Sequence, residues 1–127
     1  MTKAKGRKSI FITGAASGMG LETARLFHAK GWFIGGYDVN GEGLTRLEAE
    51  LGSGNCIVST LDVTNRDAYR AALAGFGEAT GGQMDILYNN AGIFPEDDHS
   101  VIDTPEEVWR KVLAINLQGV ASSCKYA

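Results

Sequence analysis

One stretch, Ser9 to Gly31, limits what this chain can fold into more than any other. Ile10, Phe11 and Ile12 form a short β-branched and aromatic run, which fits a strand buried on both faces better than a helix too short to stand alone. Gly14, Gly18 and Gly20 interrupt it; glycine accepts positive φ and lets a ligand approach the backbone with no Cβ in the way. Leu21, Ala24, Phe27 and His28 then recur at helical spacing, with Gly31 as a stop. The order is strand, glycine turn, helix.

That order sets the unpaired N–H groups and positive dipole end of a helix beneath a glycine floor, a receptor for phosphate. A pyrophosphate is the natural guest, which makes Gly14, Gly18 and Gly20 candidate cofactor contacts. The spacing Gly-x-x-x-Gly-x-Gly differs from the dinucleotide fingerprint Gly-x-Gly-x-x-Gly and lacks the Gly-Lys-Ser/Thr ending of a nucleoside triphosphate loop. Taken alone, the glycines also fit an ordinary strand-to-helix turn of small residues.

Trp32 to Tyr37 reads as a second strand, weakened by Gly35 and Gly36 and ending at Asp38. A carboxylate about 20 residues past the glycine turn can accept hydrogen bonds from both hydroxyls of an adenosine ribose and repel a 2′-phosphate, which favours NAD over NADP. The alternative is an acid serving the N-terminus of the next helix. Asn40 is a candidate N-cap, and Leu44, Leu47 and Leu51 mark one apolar face before Gly52. Ile57, Val58 and Leu61 form a third strand running into Asp62 and Val63. Thr64 and Asp67 resemble a capping box for a helix that buries Tyr69, Ala72, Leu73 and Phe76 and closes at Gly81 and Gly82. A fourth strand, Ile86 to Tyr88, leads into Asn89-Asn90-Ala91-Gly92.

Strands alternating with helices at this interval require parallel pairing through right-handed crossovers. Ligands of an open parallel sheet sit outside the carboxyl ends of its strands, and Gly14, Asp38, Asp62 and Asn90 all fall at such ends. Asn89 and Asn90 could equally satisfy turn backbone by local hydrogen bonds. Glu96, Asp97, Asp98 and His99, in the loop Ile93 to Asp103, read as a solvated cluster rather than a metal site, because adjacent carboxylates lack a spaced ligand set. Thr104, Pro105 and Glu107 mark a helix start. The last helix is expected to run from Pro105 toward the C-terminus and to bury Trp109, Val112, Leu113 and Val120. Asn116 falls on that same face, where a buried amide must be paired, either for packing or as part of a site.

The balance of charge excludes some partners. A net charge of −3 and a pI near 5.3 speak against nucleic acid, and no apolar stretch approaches the roughly 20 residues of a membrane span. Lys3, Lys5, Arg7 and Lys8 precede an apolar run too short for a secretory signal, so residues 1–8 read as a basic, flexible, solvated segment. Cys56 and Cys124 lie in segments that look buried and lack metal-ligand spacing; reduced thiols in a cytoplasmic protein are expected.

With these residues assembled, the chain resembles the N-terminal half of a short-chain dehydrogenase/reductase. Thr13-Gly14-Ala15-Ala16-Ser17-Gly18-Met19-Gly20 matches the family's Thr-Gly-x-x-x-Gly-x-Gly cofactor loop, Asp62-Val63 its adenine-bracketing pair, and Asn89-Asn90-Ala91-Gly92 its Asn-Asn-Ala-Gly motif. Ile115-Asn116-Leu117 resembles the segment carrying the helix Asn of its catalytic tetrad. The resemblance implies a Rossmann-type doubly wound α/β domain over residues 9–127, with a parallel sheet in the order 3-2-1-4. It implies that Gly14, Ser17, Gly18, Met19 and Gly20 hold the adenosine ribose and pyrophosphate of NAD, Asp38 the ribose hydroxyls, Asp62 and Val63 the adenine, and Asn90, Ala91 and Gly92 the nicotinamide-side ribose. Neither Ser17 nor Val39, where NADP-preferring relatives often carry a basic residue, is basic.

By the same resemblance the substrate is a small alcohol or carbonyl compound and the full-length protein a homo-oligomer. The family's catalytic Ser and Tyr-x-x-x-Lys pair have no counterpart here. Tyr37, Tyr69 and Tyr88 are followed four residues on by Gly41, Leu73 and Gly92, and Tyr126 by nothing. The sequence therefore reads as truncated before them, with Asn116 the one catalytic position present and no dehydrogenase activity expected of these residues alone. The fourth strand would be an uncovered edge, and self-association is expected. A non-catalytic dinucleotide-binding module or truncated paralogue is the alternative. A methyltransferase fits less well, given the Asn-Asn-Ala-Gly turn and the absence of an acid before Gly14.

Overall fold

The computed structural model describes residues 4–127. Four strands, β1 (Ser9–Thr13), β2 (Phe33–Asp38), β3 (Cys56–Thr60) and β4 (Ile86–Tyr88), alternate with helices α1 (Gly18–Ala29), α2 (Gly41–Leu51) and α3 (Arg66–Thr80). They form one sheet in the order β3-β2-β1-β4, and every neighbouring pair is parallel. In register, Ile12 of β1 stands between Gly36 of β2 and Tyr88 of β4.

The alternation of β1 separates two cores, because successive side chains of a strand point to opposite faces. Ile10 and Ile12 pack with Ala24 of α1 and Leu44, Leu47 and Leu51 of α2. Phe11 faces the other way, into a layer with Phe33, Tyr37, Tyr69 and Phe76. Its ring stacks on Tyr37 with centroids 4.1 Å apart and meets Phe76 edge-on at 5.4 Å. Each such fully buried side chain contributes about 1.5–3 kcal/mol of apolar burial. Gly35 and Gly36, which weaken β2 as a strand former, make this packing possible. A Cβ on Gly35 would lie 2.6 Å from the Phe76 ring, and one on Gly36 would lie 3.1 Å from Leu47.

Asn40 caps α2 through its side-chain oxygen, which accepts from the Gly43 N–H. The capping box expected at Thr64 and Asp67 does not form. Asn65 caps α3, accepting from Ala68 N–H, while the Thr64 hydroxyl is drawn to Asp62. At the other predicted helix start, Thr104 Oγ1 accepts from His99 N–H and donates to Ser100 C=O. Pro105 becomes the cap residue, and α4 spans Glu106–Leu113.

The last helix is not one regular α-helix. After α4 comes a π-helical turn, Ala114–Gln118, and then α5, Gly119–Tyr126. Its inner face also differs from the expected one. Trp109 and Leu113 are 42% and 44% exposed and Val112 and Val120 half-buried, while Val108, Gly119 and Ser123 are buried. A Cβ on Gly119 would lie 2.9 Å from Val63; close backbone approach, rather than side-chain hydrophobicity, selects this face.

Two further expectations meet the structure differently. Within the basic segment 1–8, residues 1–3 lie outside the described residues. From Ala4 onward the chain is docked, with Ala4 buried and its N–H donating to Ala79 C=O. Arg7 donates to Asn55 Oδ1 and Gly54 C=O and lies over the Phe33 ring. Of the two cysteines, Cys56 is buried but Cys124 is exposed, because α5 turns that position away from the Ser123 face.

Candidate functional site

The glycine turn is built by close approach to the end of β4. A Cβ on Gly14, which has φ of 71°, would lie 2.8 Å from Asn90 Nδ2, and one on Gly20 would collide with the Gly14 carbonyl oxygen. Asn90 Nδ2 donates to the carbonyls of Thr13 and Gly14, each at 3.2 Å. Thr13 Oγ1 in turn accepts the backbone N–H of Asn90 and of Ala91. These bonds reach across the sheet from β4 to β1, so the local-turn alternative for Asn90 does not describe it. Thr13 is a site-building residue that the sequence reading quotes only as a motif letter.

Above this floor, α1 begins at Gly18. Ser17 occupies its N-cap in an extended conformation, makes no side-chain cap bond, and is followed by no acid in the first turn. Ser17, Gly18 and Met19 are exposed, while Gly20 is buried. An anion here would meet a helix N-terminus that no side chain of the cap already satisfies.

The two acids sit at neighbouring strand ends and are held differently. Asp38 Oδ2 accepts the Ala16 N–H and Oδ1 the Asn40 N–H, both at 3.0 Å. Asp38 thus ties the glycine turn to the start of α2. Asp62 Oδ1 accepts both the Thr64 N–H (2.9 Å) and hydroxyl (2.7 Å), and these bonds hold its carboxyl below the usual carboxylate range.

Gly14, Asp38, Asp62, Val63, Ala91 and Gly92 line one cavity of about 100 Å³ at the carboxyl ends of the strands. Tyr37, Val39, Leu61, Ile93 and Ile115 complete its walls. Asn90 stands behind it as a brace. Asn116 holds the wall residue Ile93 from outside the lining. Its Nδ2 donates to Ile93 C=O (2.9 Å) and its Oδ1 accepts the Ile93 N–H (2.8 Å), so the amide of this exposed residue is spent on the backbone that follows Gly92. Behind the cavity, Ser123 Oγ donates to Asn89 Oδ1, and Asn89 Nδ2 points to Cys124 Sγ at 3.7 Å. No hydrophobic period or charge signal in the sequence marks Ser123 or Gly119; only their small size does.

A larger hollow, about 580 Å³, lies among Arg70, Phe76, Gly82, Met84 and Tyr126. It sits at the amino end of β4, opposite the strand ends where the polar groups converge, and brings together none of the candidate residues. Among the described residues no group of His, Cys, Asp or Glu side chains is arranged to hold a metal ion.

The candidate residues fit a dinucleotide on three structural grounds: a tight glycine turn that only Gly14 and Gly20 allow, a helix N-terminus without a side-chain cap, and an acid at each of two strand ends. Comparison with known proteins agrees with this. The family model described as short chain dehydrogenase matches residues 8–127. Meso-2,3-butanediol dehydrogenase of Serratia marcescens is 32% identical over 94% of this chain and 47% of its own length. Secoisolariciresinol dehydrogenase of Forsythia intermedia is 36% identical over 94% and 43%, and serine 3-dehydrogenase of Rhizobium radiobacter 36% identical over 93% and 56%. Among solved structures, a short-chain dehydrogenase/reductase described as glucose/ribitol dehydrogenase from Brucella melitensis superposes with a TM-score of 0.88 at 30% identity, covering 100% of this chain and 51% of that one. The chain spans about half the length of the relatives it matches.

Proposed function

The chain belongs to the short-chain dehydrogenase family, and from that premise we propose that it supplies the NAD-binding part of an oxidoreductase acting on a small alcohol or carbonyl compound. The observation that carries this reading is the convergence of Gly14, Asp38, Asp62, Val63, Ala91 and Gly92 on one cavity at the strand carboxyl ends. Ser17, Gly18, Met19 and Gly20 present the α1 N-terminus to the pyrophosphate. Asp38 accepts the adenosine ribose hydroxyls and disfavours a 2′-phosphate. Asp62 and Val63 bracket the adenine, and Asn90 holds Ala91 and Gly92 beside the nicotinamide-side ribose. When bound, the nicotinamide supplies the hydride chemistry. Asn116 stands at the family's helix-Asn position; with its amide spent on Ile93, its side chain acts by positioning that backbone.

A cytoplasmic location fits the cysteine thiols, and no helix among the described residues is long and apolar enough to cross a membrane.

Fluorescence titration with NADH and NADPH tests the cofactor. NADH is expected to bind at least tenfold more tightly, and Asp38→Ala to erase that preference by weakening NADH while relieving repulsion of NADPH. Equal affinities in the wild type would refute the NAD assignment.

A further inference from the structure

We infer that Ser123 is a positioning residue for the dinucleotide site, acting through Asn89; this rests on the cofactor reading above. Ser123 is completely buried on the inner face of α5, and its hydroxyl donates to Asn89 Oδ1. Asn89 immediately follows β4 and immediately precedes Asn90, the residue that braces the glycine turn. Seven residues before Ser123 on the same helical segment, Asn116 clasps both backbone groups of Ile93. Asn116 lies in the π-helical turn and Ser123 in the α-helix that continues it. The last helical segment therefore grips both ends of the segment 89–93, and Ala91 and Gly92, which line the cavity, are suspended between the two grips.

The surroundings of Ser123 explain why its hydroxyl matters beyond filling space. The Tyr69 hydroxyl is buried beside Ser123 and has no hydrogen-bond partner among the described residues. The cleft bounded by Thr13, Tyr69, Asn89, Ala91, Gly119 and Val120 has no room for a water molecule. Removing the Ser123 hydroxyl takes away the hydrogen bond on the half-buried Asn89 Oδ1 and the polar group beside the buried Tyr69 hydroxyl. A buried group left unpaired is costly, and the segment relieves that cost by moving Asn89, which carries Asn90 and the cavity wall with it.

The test compares Ser123→Ala with Ser123→Thr, which keeps a hydroxyl, and Ser123→Cys, which keeps the volume but donates weakly. Ala79→Gly, a buried α3 site at the opposite end of the sheet, serves as a variant that loses stability alone. NADH affinity is read per folded molecule, with the folded fraction taken from urea titration, and hydrogen exchange is read at the Ala91 and Ile93 amides. Ser123→Ala is expected to weaken NADH about tenfold and to speed exchange at both amides. Ser123→Cys should fall between, Ser123→Thr should restore both readouts, and Ala79→Gly should move neither. Unchanged exchange at Ala91 and Ile93 in Ser123→Ala and Ser123→Cys overturns the inference, as does an affinity loss that Ala79→Gly reproduces. If the wild type binds no NADH, the cofactor reading fails instead, and the exchange pattern still decides whether Ser123 holds the segment.

Discussion

Asp62 gathers two hydrogen bonds on one oxygen, both from Thr64, whereas Asp38 spends one oxygen on each of two backbone N–H groups. The difference has a consequence in pH. Folding lowers the Asp62 carboxyl because Thr64 bonds favour its ionised form. Its stabilisation is therefore complete above the unfolded carboxyl range and fades as pH falls through the lower folded value. Because Asp62 is exposed, solvent screening holds the effect to under about 1 kcal/mol. Asp62→Asn retains an acceptor for Thr64 but cannot titrate. Its urea midpoint should fall less steeply than that of the wild type on acidification from about pH 5 to 2; parallel curves would remove Asp62 from the acid response. That these acids lie at strand ends is legible in the sequence. Which donors occupy them is not, since Asp38 reaches back to Ala16, beyond an entire helix.

At the scale of elements, small residues decide which surfaces meet. Gly35 admits the Phe76 ring to the sheet, and Gly119 admits α5 to Val63. Gly43 lets α2 approach the glycine turn so closely that its Cβ would stand 2.7 Å from that of Ala16. Gly35→Ala is expected to destabilise the fold by about 1–3 kcal/mol through overpacking against Phe76, measured as a fall in urea midpoint at constant slope. Wild-type stability would show that Phe76 is free to move. The same logic explains the last helix. Its large apolar residues suggest a face through Trp109, Val112, Leu113 and Val120, but packing buries Val108, Gly119 and Ser123, because the helix passes so close to Val63 that Gly119 has no room for a side chain. Hydrophobic periodicity ranks residues by what they gain from burial and is blind to the room available.

Across the whole molecule, the sheet ends at β4, a three-residue strand with all of its residues only half-buried. The residues after β4 carry exposed apolar side chains: Phe94 at 88%, Ile102 at 88%, Leu117 at 61%, and Trp109 and Leu113. Apolar surface of this extent marks an interaction face or an aggregation liability. Light scattering of the purified chain is expected to show mass rising with concentration, and the double variant Trp109→Glu, Leu113→Glu to shift it toward monomer. A monodisperse monomer over the same range would show that this face carries no self-association.

The sequence by itself determined the element order, the parallel pairing and the convergence of Gly14, Asp38, Asp62 and Asn90 on one edge, because these follow from local periodicity, turn chemistry and the handedness of crossovers. It also carried the motifs that mark the family. Only the tertiary structure decided that Asn90 braces β1, that Asn116 and Ser123 grip the two ends of one segment, that Asn65 rather than Thr64 caps α3, and that Cys124 is exposed. Each of these is a choice among partners distant in the chain, set by how closely two backbones approach, and no single segment contains that distance.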